Sequence, residues 1–149
     1  VMSIGGRLFS LVARVPRTLH HVNRPLTTSS LLRTNSIASF EDVKSVKNLK
    51  DTVLIDVREP SELQETGVLP HSINIPLGEV ESVLGCLSPD EFQKRYNTPK
   101  PDFSTPIIFS CYMGKRSASA QQTAARLGFK NAKNYAGGWA DWEDKTKSV

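Results

Sequence analysis

The chain of 149 residues carries 19 Lys and Arg against 15 Asp and Glu, two Cys, three His and 38% apolar residues. That length suits one ordinary domain with a tail and a single core, and the composition is too apolar for a wholly disordered chain. No stretch approaches the ~18 uninterrupted apolar residues of a membrane span, so no membrane helix is expected. Two cysteines exclude a disulfide scaffold. With one histidine beyond the N-terminal tail, they also fall short of a zinc or iron–sulfur ligand set, so no metal and no cofactor is expected.

The net charge of +4 is unevenly placed. Residues 1–39 hold five Arg, no Lys and no acid, which leaves 14 basic and 15 acidic residues in 40–149. The domain therefore offers no basic face for a phosphate backbone, and a nucleic-acid role loses its main support. In the tail, Leu8, Leu11, Val12, Val15, Leu19 and Val22 share one helical stripe, opposite Arg7, Arg14, Arg17 and Arg24, with Pro16 interrupting. Arg-rich, Ser-rich, acid-free and amphipathic is the composition of a mitochondrial transit peptide. The stretch Arg24–Arg33 resembles a two-step processing site, so residues 1–33 are expected to be removed and a domain over 34–149 to remain. A mitochondrial, matrix destination follows from that reading, and a plain disordered basic tail on a cytoplasmic protein is the alternative. A secretory signal needs ~7–15 apolar residues, whereas Arg7 and Arg14 bracket only six, one of them Ser10. The chain opens Val1-Met2, which leaves Met2 as a start or the chain as part of a longer one.

In the domain, Ser39 caps a short helix through Val46 with Glu41 and Asp42 in its first turn. Val53–Val57 is an apolar, β-branched run suited to a buried parallel strand. Pro60–Glu65 reads as a brief helix stopped by Gly67, and Ile73–Ile75 as a second strand. Val80, Val83 and Leu84 form one face of the next helix, with Cys86 at its end expected to pack inward. Ser88-Pro89-Asp90-Glu91 is a capping box opening a helix to about Tyr96. After a proline-marked loop come a strand at Ile107–Ser110, a helix over Ser117–Leu127 ended by Gly128, and a strand at Ala132–Tyr135. Gly137-Gly138 turns into a last helix whose Trp139 and Trp142 are expected to close the core. Strands alternating with helices predict an α/β domain with a mainly parallel central sheet.

The chemistry is concentrated in Cys111-Tyr112-Met113-Gly114-Lys115-Arg116-Ser117, between a buried strand and a helix start, where open α/β sheets place their sites. The amides of 112–117 can curl into an anion nest at a helix N-terminus, with Gly114 permitting the tight turn. These amides, with Lys115 and Arg116, favour the thiolate of Cys111, the nucleophilic form. The positive charge is local, which argues for a small anion over a polymer. The alternative, Cys111 as a small buried hydrophobe, sits poorly with the Gly-Lys-Arg-Ser that follows. His71, the one domain histidine, is a conceivable base for Cys111, but nothing in the sequence brings it there and a structural role is expected. A cysteine phosphatase separates its Cys and Arg by five residues. Here four intervene and Ser117 holds that position, and the loop offers no general acid, so phosphoryl transfer is disfavoured.

Four motifs in order resemble the rhodanese family, specifically its short single-domain thiosulfate sulfurtransferases, over about Ser39–Lys145. They are Leu54–Glu59 with Glu62; Gly67–Pro76; the loop Cys111–Ser117; and Asn134–Trp139 with Trp142. The resemblance implies a three-layer α/β fold with helices flanking the sheet, and a ping-pong reaction through a Cys111 persulfide. Thiosulfate would be the donor, and glutathione, a thioredoxin-type thiol or cyanide the acceptor. The amides of Tyr112, Met113, Gly114 and the residues to Ser117 would hold the persulfide, and Lys115 and Arg116 the sulfonate. Asp56 and Arg58 are expected to pair structurally or to face the pocket. His71-Ser72 stands where the family has Gly-Ala, which is expected to alter a turn and not catalysis. Many family members lack the cysteine and act as binding modules, so a persulfide carrier or interaction module is the alternative. A monomer is expected, as no heptad or large apolar stripe appears.

Overall fold

The computed structural model describes residues 36–148, so the tail helix and processing site expected over 1–33 lie outside the described residues. Four strands, β1 (Val53–Asp56), β2 (Ser72–Asn74), β3 (Ile107–Ser110) and β4 (Ala132–Asn134), form one sheet in the order β2-β1-β3-β4. All three pairings are parallel, with Asp56 level with both Asn74 and Ser110. The central strands β1 and β3 are those read as continuous apolar runs, as a strand covered on both faces requires.

Period-two alternation divides the core. Ile55, Val57, Ile107 and Phe109 point to one face, under Val80, Val83 and Leu84 of α3 (Val80–Cys86), Phe92 of α4 (Pro89–Tyr96) and Ala120 and Ala124 of α5 (Lys115–Leu127). Leu54 and Ile108 point to the other, where α1 (Phe40–Ser45) and α6 (Gly138–Lys147) supply Val43 and Trp139. A further helix, α2 (Pro60–Thr66), follows β1. The result is the expected three-layer α/β arrangement. Trp139 is buried, whereas Trp142 is only partly so and packs against Phe40.

Local chemistry accounts for the helix starts. Ser39 Oγ accepts the Asp42 amide at 3.1 Å while Asp42 accepts the Ser39 amide at 2.8 Å, a reciprocal cap. Ser88 Oγ accepts the Glu91 amide at 3.2 Å behind Pro89. Two expectations need correction. The helix over 117–127 begins at Lys115, because Gly114 at φ 89° turns the chain into the helix two residues earlier. Cys86 does not pack inward: it is exposed, since it lies six positions, about 240°, around α3 from Val80. No helix among the described residues is long and apolar enough to cross a membrane.

Candidate active site

Strand order reverses direction between β1 and β3, so the loops leaving their C-terminal ends open a crevice. Arg58 leaves β1 there, and Cys111 to Ser117 leave β3. Cys111 is 1% exposed and sits beneath its own loop, whereas Tyr112 and Met113 form a rim 39% and 69% exposed. The Gly114 amide donates to Cys111 Sγ at 3.0 Å, and Ser117 Oγ lies 3.3 Å from the same sulfur. Burial opposes ionisation of this thiol. Hydrogen bonds from the Ser117 hydroxyl and from the Ser117, Gly114 and Met113 amides outweigh it, and the pKa falls below the ordinary thiol value. The leading stabilisers of the thiolate are thus hydrogen bonds, with the neighbouring cations secondary. Ser117→Ala is expected to slow alkylation of Cys111 at neutral pH by about tenfold, since a hydrogen bond to a charged group is lost. Iodoacetamide kinetics across pH measure this, and an unchanged profile would remove Ser117 from the role.

The loop is braced from behind by the chain after β4. Asn134 Nδ2 donates to the Gly114 carbonyl at 3.1 Å, and the Trp139 and Ala140 amides donate to the Cys111 and Tyr112 carbonyls at 2.8 and 3.2 Å. Gly114 and Gly138 allow this approach. A Cβ on Gly114 would fall 2.3 Å from the Ala136 carbonyl oxygen, and one on Gly138 2.5 Å from those of Cys111 and Tyr112. Both have positive φ, at 89° and 61°. The sequence alone marked Asn134–Trp139 only through the family resemblance, and its contact with the loop is tertiary.

The two loop cations differ. Arg116 is gripped by both carboxylate oxygens of Glu62 on α2, at 2.7 and 2.8 Å, whereas Lys115, at the first position of α5, is exposed with no ion pair among the described residues. The arginine fork is the main influence on Glu62. Burial opposes it, while the Glu59 amide and the charges of Arg116 and Arg58 assist, and together these hold the Glu62 carboxyl at about 2. Folding therefore favours the ionised form. Its contribution is complete above the ordinary glutamate range near 4.5 and is lost as pH falls toward 2. The pair is about one-third exposed, so the contribution is about 1 kcal/mol or less. The stability difference between wild type and Glu62→Gln, read by urea unfolding, is expected to be constant above pH 5 and to shrink toward pH 2.

Asp56 and Arg58 close on one another. Arg58 Nε lies 3.1 Å from both Asp56 oxygens and its Nη2 2.8 Å from Oδ2, with the side chains 0% and 1% exposed. Nη1 donates to Thr66 Oγ1 at 2.8 Å, and the guanidinium lies 5.1 Å from the Trp139 ring. His71 is not brought to Cys111. It precedes the first residue of β2 while Cys111 follows the last of β3, so they sit at opposite ends of the sheet, about 13 Å apart along the strands. It holds φ 64°, in a turn where glycine would be unstrained. No group of three or more His, Cys, Asp or Glu among the described residues is disposed to hold a metal ion.

Sequence and fold are both similar to those of known proteins. The model of the rhodanese-like domain matches residues 39–145. A human thiosulfate:glutathione sulfurtransferase is 41% identical over 108 residues, covering 72% of this chain and 92% of its own. The Saccharomyces cerevisiae mitochondrial thiosulfate sulfurtransferase RDL2 is 34% identical over 108 residues, 71% of each chain. Among solved structures, the human single-domain sulfurtransferase TSTD1 superposes with a TM-score of 0.67 at 35% identity, covering 74% of this chain and 96% of its own. The match takes in the cysteine loop, the Glu62 and Asn134 segments that hold it, and both central strands, and on that footing the chain belongs to the rhodanese family.

Proposed function

We propose that the protein is a thiosulfate sulfurtransferase that carries sulfur as a Cys111 persulfide. The observation that carries this reading is a cysteine sulfur at the C-terminal end of β3 with the Gly114 amide donating to it at 3.0 Å and the Ser117 hydroxyl 3.3 Å away. The Cys111 thiolate attacks the outer sulfur of thiosulfate. A sulfur–sulfur bond forms to Cys111 as the one inside thiosulfate breaks, and sulfite leaves with its electron pair. The terminal sulfur of the persulfide carries the negative charge, which the amides of 112–117 stabilise. An acceptor thiolate then takes that sulfur and returns the Cys111 thiolate, with no net proton and no cofactor required.

Lys115 receives the sulfonate end of the donor, and Arg116 adds charge behind it while anchored to Glu62. The relatives named thiosulfate:glutathione sulfurtransferase support a small thiol such as glutathione as acceptor. The exposed Tyr112–Met113 rim leaves room for one. The acid-free, Arg-rich residues 1–33, together with the mitochondrial naming of RDL2, support delivery to mitochondria.

Intact-mass measurement after thiosulfate treatment tests the chemistry. Wild type is expected to gain the mass of one sulfur atom and lose it to glutathione, and Cys111→Ala to gain nothing. No adduct on wild type would overturn the enzymatic reading. Sulfur uptake only from a protein donor would replace it with a carrier role.

A further inference from the structure

At the end of the sheet away from the cradle, α1 and α6 converge over His71 and leave a cavity of about 360 Å³, within the range of small-ligand sites. Phe40 and Trp142 supply its aromatic wall, their ring centroids 5.1 Å apart. Lys44, Lys47 and Lys145 stand around it, and among the described residues no carboxylate lines it. This is a sharp local excess in a segment, 40–149, with more acids than bases. Lys145 is tied to Asp141 at 3.0 Å, but Lys44 and Lys47 are exposed and have no ion pair among the described residues. The ammonium groups of Lys44 and Lys145 lie 5.9 and 5.2 Å from the Phe40 ring centroid, so charge and aromatic surface meet at one place.

Charge decides between occupants. The chain's own N-terminal 33 residues contain five Arg and no acid, and a second copy meeting this face symmetrically would present the same lysines, so charge disfavours both. We propose that this cavity binds a small amphipathic organic anion: an aromatic or branched apolar body lying on Phe40 and Trp142, with one carboxylate, sulfonate or phosphate held by Lys44 and Lys47. The site is separate from Cys111 and takes no part in sulfur transfer.

The test uses the full ¹⁵N-labelled chain titrated with anilinonaphthalene sulfonate, with uncharged phenyl-naphthylamine as the control of matching body. The indole N–H signal of Trp142 is expected to shift saturably below about 1 mM probe, while Trp139 and the amides of 112–117 stay in place. Replacing both Lys44 and Lys47 by Gln, two exposed positions outside the core, is expected to weaken binding roughly five- to tenfold. A shift confined to the Cys111 loop, equal binding of the uncharged control, or an unaltered affinity in the double variant would each overturn the proposal.

Discussion

A Gly114→Ala chain is expected to take sulfur from thiosulfate about 100-fold or more slowly than wild type while still folding cooperatively. Gly114 holds φ 89° and ψ −4°, in the left-handed region where an L side chain is strained. Its missing Cβ is also the space taken by the Ala136 backbone, with the carbonyl oxygen 2.3 Å and Cα 2.8 Å from where a methyl would sit. Backbone cannot rotate aside as a flexible side chain would, so the loop must lift. Lifting it breaks the Gly114 amide contact to Cys111 Sγ and the Asn134 bond to the Gly114 carbonyl, and it carries Ser117 with it. Loss of one preorganised donor to a developing anion costs about 10²–10³ in rate, which sets the magnitude. Single-turnover persulfide formation, followed beside the pH profile of thiol alkylation, measures the effect. An unchanged alkylation profile would show that the cradle amides do not govern the sulfur.

Arg58→Met is expected to cost about 3–5 kcal/mol of stability, a large share of the roughly 5–15 kcal/mol that holds such a domain together. The guanidinium makes a fork to Asp56, a bond to Thr66 Oγ1 and a 3.3 Å contact to the Gly67 carbonyl, and it lies over Trp139. None of these is exchanged for water on replacement, because Asp56 is 1% exposed and would lose the guanidinium that pairs it, keeping only the bond from the residue 58 backbone amide. The companion variant isolates that cause: with Asp56→Leu added, the buried carboxyl that lost its guanidinium is gone and most of the lost stability is expected to return. Urea unfolding of the four chains in the cycle measures both steps. Equal losses in the single and double variants would mean that Arg58 acts through packing on Trp139 and not through the ion pair.

How much of this was legible beforehand differs between elements. The buried strands at Val53–Asp56 and Ile107–Ser110 were plain in sequence because a strand covered on both faces must be apolar throughout. Ser39, Pro60, Pro89 and Gly128 marked helix ends because capping chemistry is local. The loop from Cys111 to Ser117 was legible for the same reason: a nest of amides at a helix N-terminus is built from consecutive residues. Cys86 was misread because its inward or outward aspect depends on helical phase, which a sequence neighbour of Leu84 does not reveal.

The order of strands and helices, and the placing of Cys111 and its loop between β3 and α5, were thus readable in the sequence, since each arises from contacts within a few residues. Tertiary structure decided what holds the loop in place. The Glu62–Arg116 fork spans 54 residues and the Asn134–Gly114 bond 20, and the close packing of Gly138 against Cys111 joins two strand ends. It also decided that Arg116 is held by Glu62 while Lys115 has no ion pair among the described residues, because folding alone sets which carboxylate reaches which cation.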